Sequence, residues 1–521
     1  LAISTKTNIT GTAVVTVKVS DGTNFTTKSF KVTVTPNPYT LAALTVAGRT
    51  SNTGPTGYTD GTGTSATFTN PRGAIADANG FIYVQDNNLI RRINAVTREV
   101  VTLAGDTTRT TSVDGVGSAA GIIAIGGSGN SCMGISIDNK YLYFLGNAGT
   151  NAAASSLRRL VIDPLDADFG RVTTLISTGL SGQTYGRLVP SADGRYLFLS
   201  DYNPAKITRI DLQTSTFATF PITYNGTSLG TTYSVYPSVF VKGPNNTALM
   251  FTHPTLGTTG LVGAYLSLDL ASGVVTKLGN YTASSTANSG AAYNPVTNEI
   301  LVNLNGQLTF LDGTNGAAKY TAPAGGSTTT QYLDGTSGTV NPRDAITVYN
   351  GDYYASDWIS SSTPTATIRA IKIAPGLFNP GSVTFTEGQT NYFDNAALEK
   401  MAVVANGSTI MTYTLTSLYG TLNVSTVTGL TGVTGRGTKA LSFTGTEADI
   451  NSALATLAYT PDTGFINASS TGVQITGAPL ETLSMSVTGS DANGTRGTNS
   501  ASLSLLVKAT NNAPRILTPL V

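Results

Sequence analysis

The stretch Tyr58-Thr-Asp-Gly-Thr62, Asn70-Pro-Arg-Gly-Ala-Ile75, Phe81-Ile-Tyr-Val-Gln-Asp86 and Ile90-Arg-Arg-Ile93 decides the fold, because it returns near the far end of the chain. The second copy runs Tyr332-Leu-Asp-Gly-Thr336, Asn341-Pro-Arg-Asp-Ala-Ile346, Tyr353-Tyr-Ala-Ser-Asp357 and Ile368-Arg-Ala-Ile371. Weaker copies lie between. A unit that recurs along a chain cannot bury its own apolar face and must stack on its neighbours, which points to a closed ring of similar sheets.

Working outward, the end of each third strand is the most diagnostic position. Apolar residues there lead into a turn, usually one bearing Asp or Asn. Six such places occur: Arg91–Asn94, Arg158–Asp163, Thr208–Asp211, Ser267–Asp269, Phe310–Asp312 and Ile368–Ile371. Their spacing predicts an all-β, six-bladed propeller over residues 40–375, with seven the alternative count and Gly-rich stretches such as Gly115–Gly129 as loop insertions. Leu44-Thr-Val-Ala-Gly48 matches Val101-Thr-Leu-Ala-Gly105, an outer strand. It therefore predicts an outer strand for the last blade, latching the ring. These phrases resemble the NHL repeat. In that repeat an Asp closing the second strand pairs with an Arg of the third, which implies structural ties at Asp86, Asp201 and Asp357 and at Arg91, Arg158 and Arg369.

The flanks read differently. Thr12–Val19 and Lys28–Thr35 alternate apolar and polar residues around Ser20-Asp-Gly-Thr23 and resemble the last hairpin of a bacterial immunoglobulin-like domain (residues 1–38). Residues 376–510 carry six strand candidates and one helix, begun by the capping-box-like Thr446-Glu-Ala-Asp449 with Ile450, Leu454 and Leu457 on one face. Leu441–Pro461 resembles cadherin-like repeats of giant bacterial adhesins. Residues 511–521 then resemble the joint to a further domain or neighbouring subunit.

Composition narrows the function classes. Only 11% of the 521 residues are charged, and the net charge is +1 with no basic run. That argues against a nucleic-acid partner. No apolar run is long enough for a helical membrane span. One cysteine, Cys132, allows no intrachain disulfide and is expected to be buried. The single histidine, His253, weighs against a zinc site and against a Ser-His-Asp triad. Glu99 and Glu299 are the ring's only glutamates, and both stand in turn-like contexts. The expectation is a protein with no catalytic residues and no required cofactor.

Three ligand readings remain. Arg72 and Arg343, just before an inner strand, are candidates for an anionic or sugar ligand at the rim or channel, with Trp358 as an aromatic platform. Asp21, Glu387, Asp491, Asn493, Asn511 and Asn512 stand at turns and junctions where cadherin-like arrays bind calcium, so the resemblance implies calcium as a candidate ligand there. The broad expectation is an extracellular or cell-surface protein, serving adhesion or filament assembly through tandem β domains and joined head to tail by strand addition. A propeller lyase or glycan hydrolase, or a glycan-binding module, is the alternative.

Overall fold

In the computed structural model the described residues are 11–20, 23–34, 40–51, 54–123, 132–147, 155–180, 187–202, 205–229, 237–252, 261–280, 290–304, 307–323, 340, 342–357, 366–379, 382–393, 401–492 and 494–510. Strands are the main regular elements among them, with one α-helix and two 3-10 turns. The chain divides into two compact units, one of residues 43–372 and one of residues 1–42 with 373–521.

The larger unit is a propeller-type fold. Its described residues form six antiparallel meanders, five of which have their four blade strands in chain order. Blade 1 runs Pro71–Ala76, Phe81–Asp86, Leu89–Asn94 and Glu99–Gly105. Blade 2 runs Met133–Ile135, Tyr141–Asn147, Ser155–Val161 and Arg171–Leu180. Blade 3 is Val189–Pro190, Tyr196–Tyr202, Ala205–Asp211 and Thr216–Thr219. Blade 4 is Pro237–Lys242, Thr247–Thr252, Ala264–Asp269 and Val274–Asn280. Blade 5 is Ala291–Asn294, Glu299–Leu304, Gln307–Asp312 and Ala318–Pro323.

Blade 6 has Pro342–Tyr349, Asp352–Asp357 and Thr367–Ala374 from its own stretch, and its fourth strand is Thr40–Gly48. The early strand thus closes the ring as the Leu44–Gly48 match predicts. Two hydrogen bonds fix its far end: Arg49 N donates to Ala366 O at 3.2 Å, and Thr367 Oγ1 donates to Arg49 O at 2.5 Å. Equivalent positions of the two strong phrases also meet, since Ala76 N donates to Thr347 Oγ1 at 2.8 Å.

The third-strand Asp and Asn residues make the turns that the sequence pattern anticipates. Asn94 Oδ1 accepts from the amides of Val96 and Thr97, Asp211 Oδ1 from Gln213 and Thr214, Asp269 Oδ1 from Ala271 and Ser272, and Asp312 Oδ1 from Thr314 and Asn315. A short side-chain acceptor mimics a backbone turn here, so each hairpin between third and fourth strands is locally encoded. Between neighbouring blades the packing is apolar. Ile82, Val84 and Ile93 of blade 1 share a cluster with Tyr354 and Ile368 of blade 6, while Tyr83 and Ile90 face Leu142, Phe144 and Leu160 of blade 2.

In the second unit, Gly11–Ser20 and Phe25–Val34 pair along ten residues as a two-stranded sheet. The rest forms a six-stranded sheet ordered Ser382–Thr386, Gly494–Lys508, Glu481–Asp491, Ile410–Thr416, Ala440–Gly445 and Thr431–Thr434. A three-stranded sheet of Asn391–Tyr392, Ala458–Pro461 and Gly420–Asn423 shares its core, which includes Phe385, Tyr413, Leu422, Phe443 and Tyr459. The helix Glu447–Leu454 has the expected capping box, with Thr446 and Asp449 capping each other's backbone. Ile450, Leu454 and the following Leu457 are buried in that core.

Candidate functional site

The six first strands enclose a cavity of about 700 Å³. Ile75, Ile135, Val189, Val241, Ala292 and Ile346, one from each blade, contribute to its wall, so it lies on the ring's central channel. It occupies the half of the channel nearest the turns from first to second strands. Ala78 N donates to Asn139 Oδ1 across blades 1 and 2, and Ala192 N donates to Asn246 Oδ1 across blades 3 and 4. Asn294 Nδ2 donates to Gly351 O across blades 5 and 6. These bonds link the turns around the mouth.

One arginine lies across this channel. Arg187 precedes the first strand of blade 3, and its backbone N donates to Phe240 O of blade 4 at 2.9 Å. Its Nη2 reaches the inner strands of two other blades, donating to Ala74 O and Ile346 O at 2.6 Å each. The side chain is buried, 8% exposed, and its Nη1, itself fully buried, has no hydrogen-bond partner among the described residues. Burial pulls the guanidinium pKa down to about 10, which leaves it charged at neutral pH. Lys242, at the end of blade 4's first strand, also lines the cavity, and desolvation lowers its pKa. Asp77 is the acidic residue of the wall. Its carboxylate is already engaged: Oδ1 accepts from the amides of Asn79 and Phe81, and Oδ2 from the Tyr83 hydroxyl at 3.0 Å.

Sequence reasoning placed the candidate arginine elsewhere. Arg72 does not line the cavity. The Asn70-Pro-Arg phrase makes a bulge instead: Pro71 faces Asp86 and Arg72 faces Gln85, and the register then slips before Ile75 faces Tyr83. Gly73 takes φ 68° within that slip, a conformation suited to glycine. The same slip separates Pro342 from Ile346 in blade 6. The side chain of Arg343 and the whole of Trp358 lie outside the described residues. A sequence signal for Arg187 does exist. Ser191 N donates to Tyr196 O as Asp77 N does to Phe81 O, so Arg187 stands where blade 1 has Gly73. The matching place in blade 2 is the buried Cys132.

The implied Asp–Arg ties have a more varied geometry than one pair per blade. Arg91 Nη1 stands 3.5 Å from Asp86, and Arg369 Nε 3.6 Å from Asp357. Arg91 makes its shorter pair, 3.0 Å, with Asp60 of the Tyr58-Thr-Asp-Gly phrase, and also donates to Thr59 O and Thr67 O. Arg158 has no second-strand carboxylate, because Gly146 stands opposite Ser156 where Asp86 stands opposite Leu89 at the same strand end. It pairs at 2.9 Å with Asp114, which opens another Asp-Gly phrase, and donates to Val113 O and Gly121 O. At Asp201 the third-strand place is taken by Thr208, whose Oγ1 donates to the carboxylate at 2.6 Å, and Lys206 is 3.9 Å away. Burial raises the Asp86 pKa to about 6, against the pull of the Asn70 and Thr69 amides and of Arg91.

Of the calcium candidates, Glu387 and Asp491 are described. Asp21, Asn493, Asn511, Asn512 and His253 lie outside the described residues. Asp491 is paired with Arg496 at 2.6 Å, and Glu387 contributes backbone bonds with Lys508 and Thr510. Among the described residues no three His, Cys, Asp or Glu side chains cluster as metal ligands. Glu99 is exposed, and the buried Glu299 pairs with Lys319 at 3.2 Å. No helix among the described residues is long and apolar enough to cross a membrane.

No family model matches this sequence, and no curated protein matches it. Solved structures do resemble it distantly. A Bacteroides thetaiotaomicron protein of unknown function is 16% identical over 64% of this chain and 75% of its own, with TM-score 0.42. An auxiliary nutrient binding protein from Bacteroides ovatus is 12% identical over 69% and 83%, with TM-score 0.41. A PQQ-bound aldose sugar dehydrogenase from Streptomyces coelicolor is 13% identical over 65% and 100%, with TM-score 0.36. Likeness at this distance carries nothing about ligand or activity.

Proposed function

We propose that this chain is a non-enzymatic extracellular structural or adhesive protein that associates through its β domains, with an NHL-like propeller accompanied by immunoglobulin-like and cadherin-like units. One observation supports the reading above others. The hairpin Gly11–Ser20/Phe25–Val34 forms a two-stranded sheet with no third strand among the described residues. Val19 and Phe25 on it are 62% and 65% exposed. A lone hairpin is marginally stable in water, and its unpaired edge groups are a template for another strand. The occupant this reading commits to is a strand from a further copy of the chain. Pairing of that kind is heterologous and propagates into an open filament.

Sedimentation velocity and electron microscopy of the purified chain, with and without residues 1–34, test this. Concentration-dependent chains or filaments that vanish on the deletion support strand addition. A monomer at every concentration, or assembly untouched by the deletion, overturns it.

A further inference from the structure

A buried guanidinium is an expensive arrangement. Removing a charge from water costs several kcal/mol unless a counter-charge and hydrogen bonds replace the solvent. Arg187 has only part of that compensation. Two carbonyl oxygens satisfy Nη2, and the buried Nη1 meets no acceptor among the described residues. The acid of the cavity wall, Asp77, is held by two amides and a tyrosine hydroxyl, turned to its own hairpin. Lys242 adds a second positive charge to the wall and has no carboxylate partner among the described residues. Arg187 and Lys242 against Asp77 leave the described wall with a net positive charge of one.

Its shape and wall say what kind of anion fits. The volume of about 700 Å³ falls within the roughly 300–1,000 Å³ range of small-molecule sites. The wall has polar side chains at Ser136, Asn139, Thr347 and Tyr349, and each blade adds one aliphatic side chain: Ile75, Ile135, Val189, Val241, Ala292 and Ile346. A heavily hydrated anion such as phosphate would lose its water against those side chains and gain little. A carboxylate on a compact apolar body would bury that body on the aliphatic wall while its charge is drawn to the Arg187 guanidinium and its oxygens accept from the exposed Lys242 ammonium, a charge-assisted bond.

We propose that the central channel of the propeller binds an organic monocarboxylate with a compact apolar body, anchored by Arg187 and assisted by Lys242. The anchor is rigid before the ligand arrives, because Nη2 already bridges blades 1 and 6. Little side-chain freedom is then lost on binding.

Titration calorimetry on the full chain tests this with benzoate as probe and with benzyl alcohol, inorganic phosphate and galacturonate as comparisons. Benzoate is expected to bind at one site, with benzyl alcohol weaker by about tenfold or more, the scale of a lost charge-assisted bond. Lys242→Met keeps the fold and weakens benzoate several-fold. Ala292→Phe fills the cavity, leaves Arg187 intact and abolishes binding. Arg187→Met loses about tenfold or more; should that variant fail to fold, the Lys242 and Ala292 variants decide alone. No benzoate binding, equal affinity for benzyl alcohol, or binding that survives Ala292→Phe overturns the proposal. Phosphate or galacturonate binding in place of benzoate overturns the apolar-body assignment.

Discussion

Blades 1, 2 and 6 carry an arginine at one place in the third strand, and blades 3, 4 and 5 carry Thr208, Leu266 and Thr309 there, all buried. The two groups show what the arginine is for. In blades 1 and 2 a short extra strand, Gly61–Thr62 or Gly115–Val116, pairs onto the outer edge and runs into a single 3-10 turn. Asp60 and Asp114 sit just before these strands. Each is held by the third-strand arginine and by the amide and hydroxyl of a fourth-strand threonine, Thr102 or Thr174. The arginine thus ties an added segment to the blade. Blades 3, 4 and 5 have no Asp-Gly phrase of that kind among the described residues and use neutral side chains. Thr252 of blade 4, at the position of Asp86, satisfies itself on the carbonyl of Leu261 and the amide of Ala264.

The strongest way to break this comparison is to remove the blade that is both arginine-bearing and split in sequence. Deleting residues 1–48 takes away the fourth strand of blade 6 and exposes Ile368 and Ala370. The propeller's calorimetric transition is expected to fall sharply or disappear, whereas an unchanged melting curve would remove the latch.

Next in size, Arg91→Met removes the cation beside the buried Asp86 and leaves Asp60 to Thr102 alone. Breaking a buried pair costs about 3–5 kcal/mol. Denaturant unfolding should show that loss, and hydrogen exchange should show it first at Gly61–Ser65. Thr208→Val in blade 3 removes one hydrogen bond to a buried carboxylate, worth about 1.5–3 kcal/mol. It should leave blade 1 protection untouched. An equal loss at both sites would erase the difference between the two kinds of blade.

The last effect is a slope. Asp86 binds its proton more tightly folded, at about 6, than at its ordinary value of 3.8. Its contribution to stability is therefore fully present below pH 3.8 and is lost as pH rises through 6. Stability measured against pH for the native chain minus Asp86→Asn should decline across that window and be flat above it. A rising difference would reverse the sign.

Much of the ring is legible in the sequence because its signals are local. Asn94, Asp211, Asp269 and Asp312 each bond amides two and three residues away, so a turn announces itself in a few residues. The closing strand is legible for another reason: Leu44–Gly48 copies an outer strand with no blade before it. The partners of Arg91 and Arg158 are not legible in the same way. Asp60 and Asp114 lie 31 and 44 residues upstream, and only folding brings them to the arginine. The channel is less legible still. Arg72 belongs to a repeated phrase, and repetition marked it as interesting, but repetition here encodes a bulge. Arg187 is conspicuous only once the hydrogen bonds align it with Gly73, because a single residue that departs from a repeat has no pattern of its own.

The closing strand also has a mechanical consequence. Arg49 meets Ala366 at one end of the seam, so Thr40 and Ala374 lie toward the other. A pull applied to the chain on both sides of the propeller would load the seam at that end. The cross-strand hydrogen bonds would then break in succession, as a zipper opens, rather than together in shear. The ring would yield at low force through blade 6 while the other five sheets stayed folded, and it would be free to close again once the load was released.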